Sequence, residues 1–187
     1  MPPSQPPLVL ASASPRRRAL LEQLGIPLHV DPAHLDENVR AGEAAEPYVV
    51  RLAREKAEAV QGRHLNATVL GADTSVVLDG MVLGKPGTED EALSMLRRLS
   101  GRTHEVMTAV AVAGVGARCV TAEVTFTAAT DAALRWYVAT GEPMDKAGAY
   151  GIQGLAAKWI PRVEGCYFNV VGLPLALVTT MLEMISY

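Results

Sequence analysis

Four short stretches of the chain collect side chains able to handle a phosphorylated anion. The first is "SASPRRR", where Ser12 and Ser14 precede Arg16, Arg17 and Arg18. Ser14 suits a helix N-cap, Pro15 the first helical position, and Gly25 follows the last apolar residue. The arginines then fall in a first turn, where the helix dipole disfavours a cation by about 0.3–1 kcal/mol. A phosphate at that N-terminus reverses the balance, because free N–H groups and guanidinium forks act on it together. Arg18 is expected to point to solvent. The second stretch is "GADT", where Asp73 ends a run of small apolar residues and could activate a water or bind a divalent metal. Its small residues would let backbone and ligand approach closely. The third pairs Lys85, in the turn "LGKP", with Lys56 in "REKA". The fourth is "DKAGAYGIQG", whose Gln153 offers one acceptor and one donor, a match for the N3–H and O4 of uracil or thymine. A flipped amide would pair equally with cytosine, so neighbours must fix its orientation.

Each stretch also has a plainer reading: a solvated basic turn, a strand-ending aspartate, solvent-facing lysines and a connecting loop. Other phosphate and catalytic motifs fail outright. "GMVLGKPG" lacks P-loop spacing and has Pro86 where Ser or Thr is required. "GVGARC" carries Cys119 in place of the third dinucleotide-binding glycine. No GxSxG elbow exists, and His29, His34, His64 and His104 show no HExxH spacing, so they are expected on the surface or in loops. Cys119 and Cys166 form no CxxC pair, which disfavours zinc and fits a reducing cytoplasm. A net charge of −3 argues against binding a nucleic-acid polymer, so any anion site must be a local concentration of Lys and Arg. "MPPSQPP" lacks a signal peptide's apolar core, and no apolar run would span a bilayer.

Periodicity supplies the elements that must hold these residues. A strand at 8–11 leads into the arginine helix, and "IPLHV" forms a second strand. An extended loop follows, then a helix over "PYVVRLAREKAEAVQ", with apolar residues three and four apart. "ATVLGAD" and "TSVVLDGMVLGKP" predict a buried strand and a hairpin turning at Asp79-Gly80. Thr88 and Glu91 mark a capping box opening a helix that Gly101 closes. Two long strands, "HEVMTAVAVAGVG" and "RCVTAEVTFTAA", and a capped helix, "TDAALRWYVATG", come next. "AAKWIPRV" and "CYFNVVG" read as strands, and a last apolar helix begins near Pro174. Residues 1–7 are expected as a frayed tail and 8–187 as a single domain. The fold class is mixed α/β: a central sheet flanked by helices, drawn into two lobes with a cleft.

In chain order, "LASASPRRRALLEQLG", "YVVRLAREKA", "LGADTSVVLDGMVLGKP", "LSGRTHEVMTAVAV" and "DKAGAYGIQG…YFNVVGLPL" resemble the Maf family, septum-formation-inhibitor-like nucleotide pyrophosphatases. The likeness runs from Leu8 to the last helix; Ala13 stands where many relatives have glycine. The resemblance implies an ITPase-like fold and hydrolysis of a nucleoside triphosphate to the monophosphate and pyrophosphate. It also implies a Mg2+ or Mn2+ cofactor and a homodimer. Asp73 matches the family's catalytic base. Arg16, Thr74 and Gln153 match its substrate-specificity positions, and Ser12, Arg17, Glu37, Lys56 and Lys85 its polar cleft residues. Glu37 with Asp73 is the expected metal pair. The "YGIQG" form resembles the dTTP- and UTP-hydrolysing branch. Two alternatives stay open: a branch acting on 7-methyl-GTP, which tends to carry glutamate at the Gln153 position, and a non-catalytic nucleotide sensor of cell division.

Overall fold

The computed structural model describes residues 6–185. Of the tail expected over 1–7, the first five residues lie outside this range. Among the described residues the strands form one mixed sheet. β1 (Leu8–Leu10) lies parallel to both β2 (Leu28–Val30) and β3 (Thr68–Leu78), with Val9 opposite His29 and Val69. The order continues through β5 (Thr103–Val112) and β6 (Gly116–Thr125) to β7 (Arg162–Glu164), while the short β4 (Met81–Leu83) pairs with β3. The chain divides into two compact units. Residues 6–73, 108–120 and 172–185 make the first, and residues 74–107 and 121–171 the second.

In the first unit, α1 (Pro15–Gln23) starts as its sequence predicts. The Ser14 hydroxyl accepts from the Arg17 N–H at 3.4 Å, Pro15 opens the helix, and Gly25 follows it at φ 71°. α2 (Ala45–Gln61) buries Tyr48, Val49, Leu52, Ala53, Lys56, Ala57 and Val60, a stripe at three- and four-residue spacing. That stripe packs directly on β3 because Gly71 has no side chain: a Cβ there would lie 2.7 Å from the Ala57 backbone nitrogen and collide with the Ala53 carbonyl. The small residues of "LGAD" therefore admit a helix. Burial along β1 is complete, and α6 (Leu175–Glu183), entered at Pro174, adds Leu175, Val178 and Met181 to the buried residues.

In the second unit the β3–β4 hairpin turns through Asp79 (φ 53°) and Gly80 (φ 75°), the two positive φ values of a type I′ turn. α3 (Glu89–Leu99) is capped by Thr88, whose hydroxyl accepts from the Glu91 N–H at 3.2 Å. The returning half of the expected capping box lands one residue early, on the Gly87 N–H at 2.6 Å. α4 (Asp131–Ala139) is capped in the same way by Thr130. Leu78, Leu83, Leu96, Leu99, Phe126, Tyr137 and Trp159 are among the buried core residues. Each such large side chain stabilises the fold by about 1.5–3 kcal/mol.

Three expectations need correction. "AAKWIPRV" is a strand only at β7; Leu155–Trp159 forms a 3-10 turn. "CYFNVVG" folds as a short helix, α5 (Tyr167–Val171), bracketed by Gly165 at φ 107° and Gly172 at φ 123°. Short apolar runs have no period long enough to separate helix from strand, and here the buried Asn169 donates to the Val106 carbonyl at 2.8 Å. His104, expected on the surface or in a loop, is 3% exposed within β5. Strand alternation turns Thr103 outward and His104 inward, where Nε2 lies 2.8 Å from the Tyr150 hydroxyl.

Candidate active site

The parallel pairing of β1 and β3 brings Ser12 and Asp73 side by side just beyond its last paired residues, Leu10 and Leu70; β3 does not end at Asp73, as its sequence suggested, but runs on to Leu78. Carboxyl ends of parallel strands are where open α/β sheets bind ligands. Ser12, Arg17, Lys56 and Asp73 are all buried there, an unusual density of polar groups for a core edge. Lys56 is central. It descends from the buried stripe of α2, and its Nζ lies 2.8 Å from Asp73 Oδ1 and 2.6 Å from Glu37 Oε1. Gly71 sets this geometry, because it lets the turn of α2 before Lys56 rest on β3 two residues ahead of Asp73.

Arg17 is buried beside this pair. Its Nε donates to the Gly172 carbonyl at 2.9 Å; its Nη1 donates to the Ser12 hydroxyl at 3.0 Å and the Ala72 carbonyl at 2.9 Å. Those bonds tie the start of α1 to β3 and to the entry of α6. Burial lowers the Arg17 pKa, with the Asp73 charge opposing it. Burial also raises the Asp73 pKa, against the pull of Lys56 and Arg17 and with the help of Glu37. Asp73 therefore holds a proton more readily than an ordinary aspartate, the property a general base needs. Perturbed, buried and mutually paired groups of this kind mark a candidate functional site.

Arg16 is half-buried in the first turn of α1, while Arg18 is exposed and pairs with Glu22 one turn on at 2.7 Å. Arg18 thus behaves as the expected bystander. Thr74, Lys85 and Gln153 belong to the second unit. Thr74 is half-buried, and Lys85 and Gln153 are exposed. Within that unit the Gly84 carbonyl, next to Lys85, accepts from the Gly148 N–H at 3.1 Å, which joins the lysine turn to the loop preceding Gln153.

Two residues were missed by the sequence reading. The Tyr48 hydroxyl donates to the Glu37 carbonyl at 2.8 Å, and Arg51 donates to the Asn38 carbonyl at 3.2 Å and to Glu43. Together they strap the loop that carries Glu37 onto α2. The signal was available for Tyr48, which sits eight residues before Lys56 on the same helical face. Burial, with the Asp73 and Glu37 charges behind it, raises the Tyr48 pKa to about 12.

Glu37 and Asp73 direct one oxygen each at Lys56 Nζ, so the point where these oxygens converge already holds a cation, and a metal would share the two carboxylates with the lysine. Among the described residues no group of three His, Cys, Asp or Glu gathers as a metal cage. Two hard oxygens from the protein fit Mg2+ or Mn2+, ions that complete their shells with water and substrate phosphates.

Comparison with known proteins agrees over nearly the whole chain. The family described as "Maf-like protein" matches residues 7–185. A dTTP/UTP pyrophosphatase of Myxococcus xanthus (strain DK1622) is 55% identical over 178 residues, covering 94% of this chain and 91% of that protein. One from Anaeromyxobacter dehalogenans (strain 2CP-1 / ATCC BAA-258) is 53% identical over 189 residues, covering 97% and 95%. Another from Koribacter versatilis (strain Ellin345) is 51% identical over 179 residues, covering 94% and 93%.

Proposed function

Because the chain belongs to the Maf-like protein family, we propose that it hydrolyses nucleoside triphosphates, dTTP and UTP, to the monophosphate and pyrophosphate. The observation that carries this reading is the buried Lys56, held between Asp73 and Glu37 at the carboxyl end of a parallel strand pair. Asp73 takes a proton from a water whose oxygen bonds to the α-phosphorus. The bond from that phosphorus to the bridging oxygen breaks, and pyrophosphate leaves. Lys56 keeps the Asp73 carboxylate aimed and, with Arg16 and Lys85, offsets charge on the triphosphate. Ser12 and Arg17 shape the turn before α1, whose N-terminal N–H groups suit a phosphate. Glu37 and Asp73 would hold a Mg2+ or Mn2+, which supplies charge neutralisation on phosphate oxygens when bound. Thr74 and Gln153 select the substrate, Gln153 through the edge of a uracil or thymine base. Residues 8–187 act as one catalytic domain, and the working molecule is a homodimer.

Support for the substrate comes from relatives above 50% identity, each a dTTP/UTP pyrophosphatase, and from the Gln153 amide, whose donor and acceptor match the O4 and N3–H of uracil or thymine. The test is pyrophosphate release across UTP, dTTP, CTP, GTP and 7-methyl-GTP with each metal. UTP and dTTP are expected to lead. A lead for 7-methyl-GTP, or no turnover of any nucleotide, contradicts the proposal.

A further inference from the structure

Gln153 sits at the tip of a turn closed by the Gly154 N–H donating to the Gly151 carbonyl at 3.1 Å. The two flanks of that turn are held by two side chains, one each. Ahead of Gln153, the Gly151 N–H donates to the Tyr137 hydroxyl at 3.3 Å. Behind it, the Leu155 N–H donates to both Glu142 carboxylate oxygens, at 3.1 and 3.0 Å. The Tyr137 hydroxyl donates in turn to Glu142 Oε1 at 2.8 Å, which links the two anchors. Tyr137 is wholly buried on α4, and Glu142 is half-buried, its backbone carbonyl accepting from Lys146 Nζ at 2.6 Å.

Glycine at 154 belongs to the same device. Its φ of −105° is open to any residue, so conformation does not demand glycine there. A Cβ at that position would instead fall on the Glu142 carboxylate. The missing side chain makes room for a carboxylate beneath the turn. A carboxylate is the one side-chain group that accepts from three directions without offering a donor of its own.

We infer that Glu142 and Tyr137 are positioning residues that clamp the turn bearing Gln153 and thereby set base selectivity. The inference rests on Gln153 reading the base. An amide distinguishes uracil from cytosine only if its orientation is held, and the clamp fixes the backbone on both sides of it.

The experiment compares wild type with Glu142→Ala, Glu142→Gln, Gly154→Ala and Tyr137→Phe. It reads amide hydrogen exchange at Leu155 and the UTP-to-CTP ratio of kcat/KM. Glu142→Ala and Gly154→Ala are expected to speed Leu155 exchange and to lower the ratio, each about tenfold, the worth of one hydrogen bond. The loss falls on KM for UTP, with kcat less affected. Glu142→Gln retains an oxygen at the Oε1 position and keeps most of the selectivity. Should Glu142→Ala fail to fold, Gly154→Ala and Tyr137→Phe carry the comparison. Unchanged Leu155 exchange overturns the clamp, and faster exchange with an intact ratio overturns its role in selectivity. A wild type without UTP preference, or a ratio indifferent to Gln153→Ala, instead overturns the base-reading assignment. The exchange measurement then still decides whether the clamp exists.

Discussion

A lysine buried between two carboxylates gives up solvation that its ion pairs do not fully return, so such a group is weak evidence of a stabilising device. Lys56 is held that way against Asp73 and Glu37, and this points to chemistry. Asp73→Asn keeps an acceptor for Lys56 but has no proton affinity to use. Pyrophosphate release from UTP is expected to fall by roughly 10²–10⁴-fold, the usual worth of a general base. Circular dichroism should report a retained fold; a near-normal rate contradicts the assignment. Gln153→Glu replaces the amide donor with a second acceptor, so kcat/KM for UTP should fall well below wild type while the thermal midpoint barely moves. Unchanged UTP and dTTP rates would show that Gln153 does not read the base. The helix start was legible in Ser14-Pro15, and residue type singled out Asp73, but β3 runs on through Asp73 to Leu78, so Asp73 does not end its strand as the run of small apolar residues suggested. The burial of Arg17 was not legible. Among its side-chain partners, Gly172, Ser12 and Ala72 come together only through the parallel pairing of β1 and β3 and the entry to α6.

Elements with chemical punctuation declared themselves: α3 and α4 by threonine caps, the β3–β4 hairpin by Asp79-Gly80, α6 by Pro174. Elements defined by their neighbours did not. α5 is preceded by Glu164-Gly165-Cys166, with no Ser, Thr, Asp or Asn to mark its start, and the Leu155–Trp159 turn follows the Gln153 loop, so propensity alone made both look extended. Gly71 shows the same limit. Its smallness was visible, but the reason for it, contact with the α2 backbone, required the fold. Gly71→Ala must push α2 off β3 and should cost at least about 1–3 kcal/mol in urea unfolding. Lys56 moves with α2, so kcat should drop as well. A variant of wild-type stability and activity would show that the α2–β3 approach does not position Lys56.

At the scale of the whole molecule, the second unit contains a built-in acid sensitivity. Burial lowers the His104 pKa from 6.5 to about 4; its Nδ1 has no hydrogen-bond partner among the described residues, and Phe126 and Tyr150 pack edge-on against the ring. Between those pH values the unfolded chain binds a proton that the folded chain refuses. The stability contributed by neutral His104 is therefore complete above pH 6.5 and is lost as pH falls towards 4. His104→Gln offers Tyr150 an amide and cannot titrate. The loss in unfolding free energy from pH 7 to pH 4.5 should be smaller in that variant by about 2 kcal/mol. Equal losses in both proteins would place the acid sensitivity elsewhere. No helix among the described residues is long and apolar enough to cross a membrane. The central claim concerns where water attacks, and one isotope measurement reads it directly. UTP hydrolysed in 18O-labelled water should yield labelled UMP and unlabelled pyrophosphate, with Asp73→Asn giving neither product at a comparable rate. Label in the pyrophosphate, or orthophosphate as the released product, would contradict attack at the α-phosphorus.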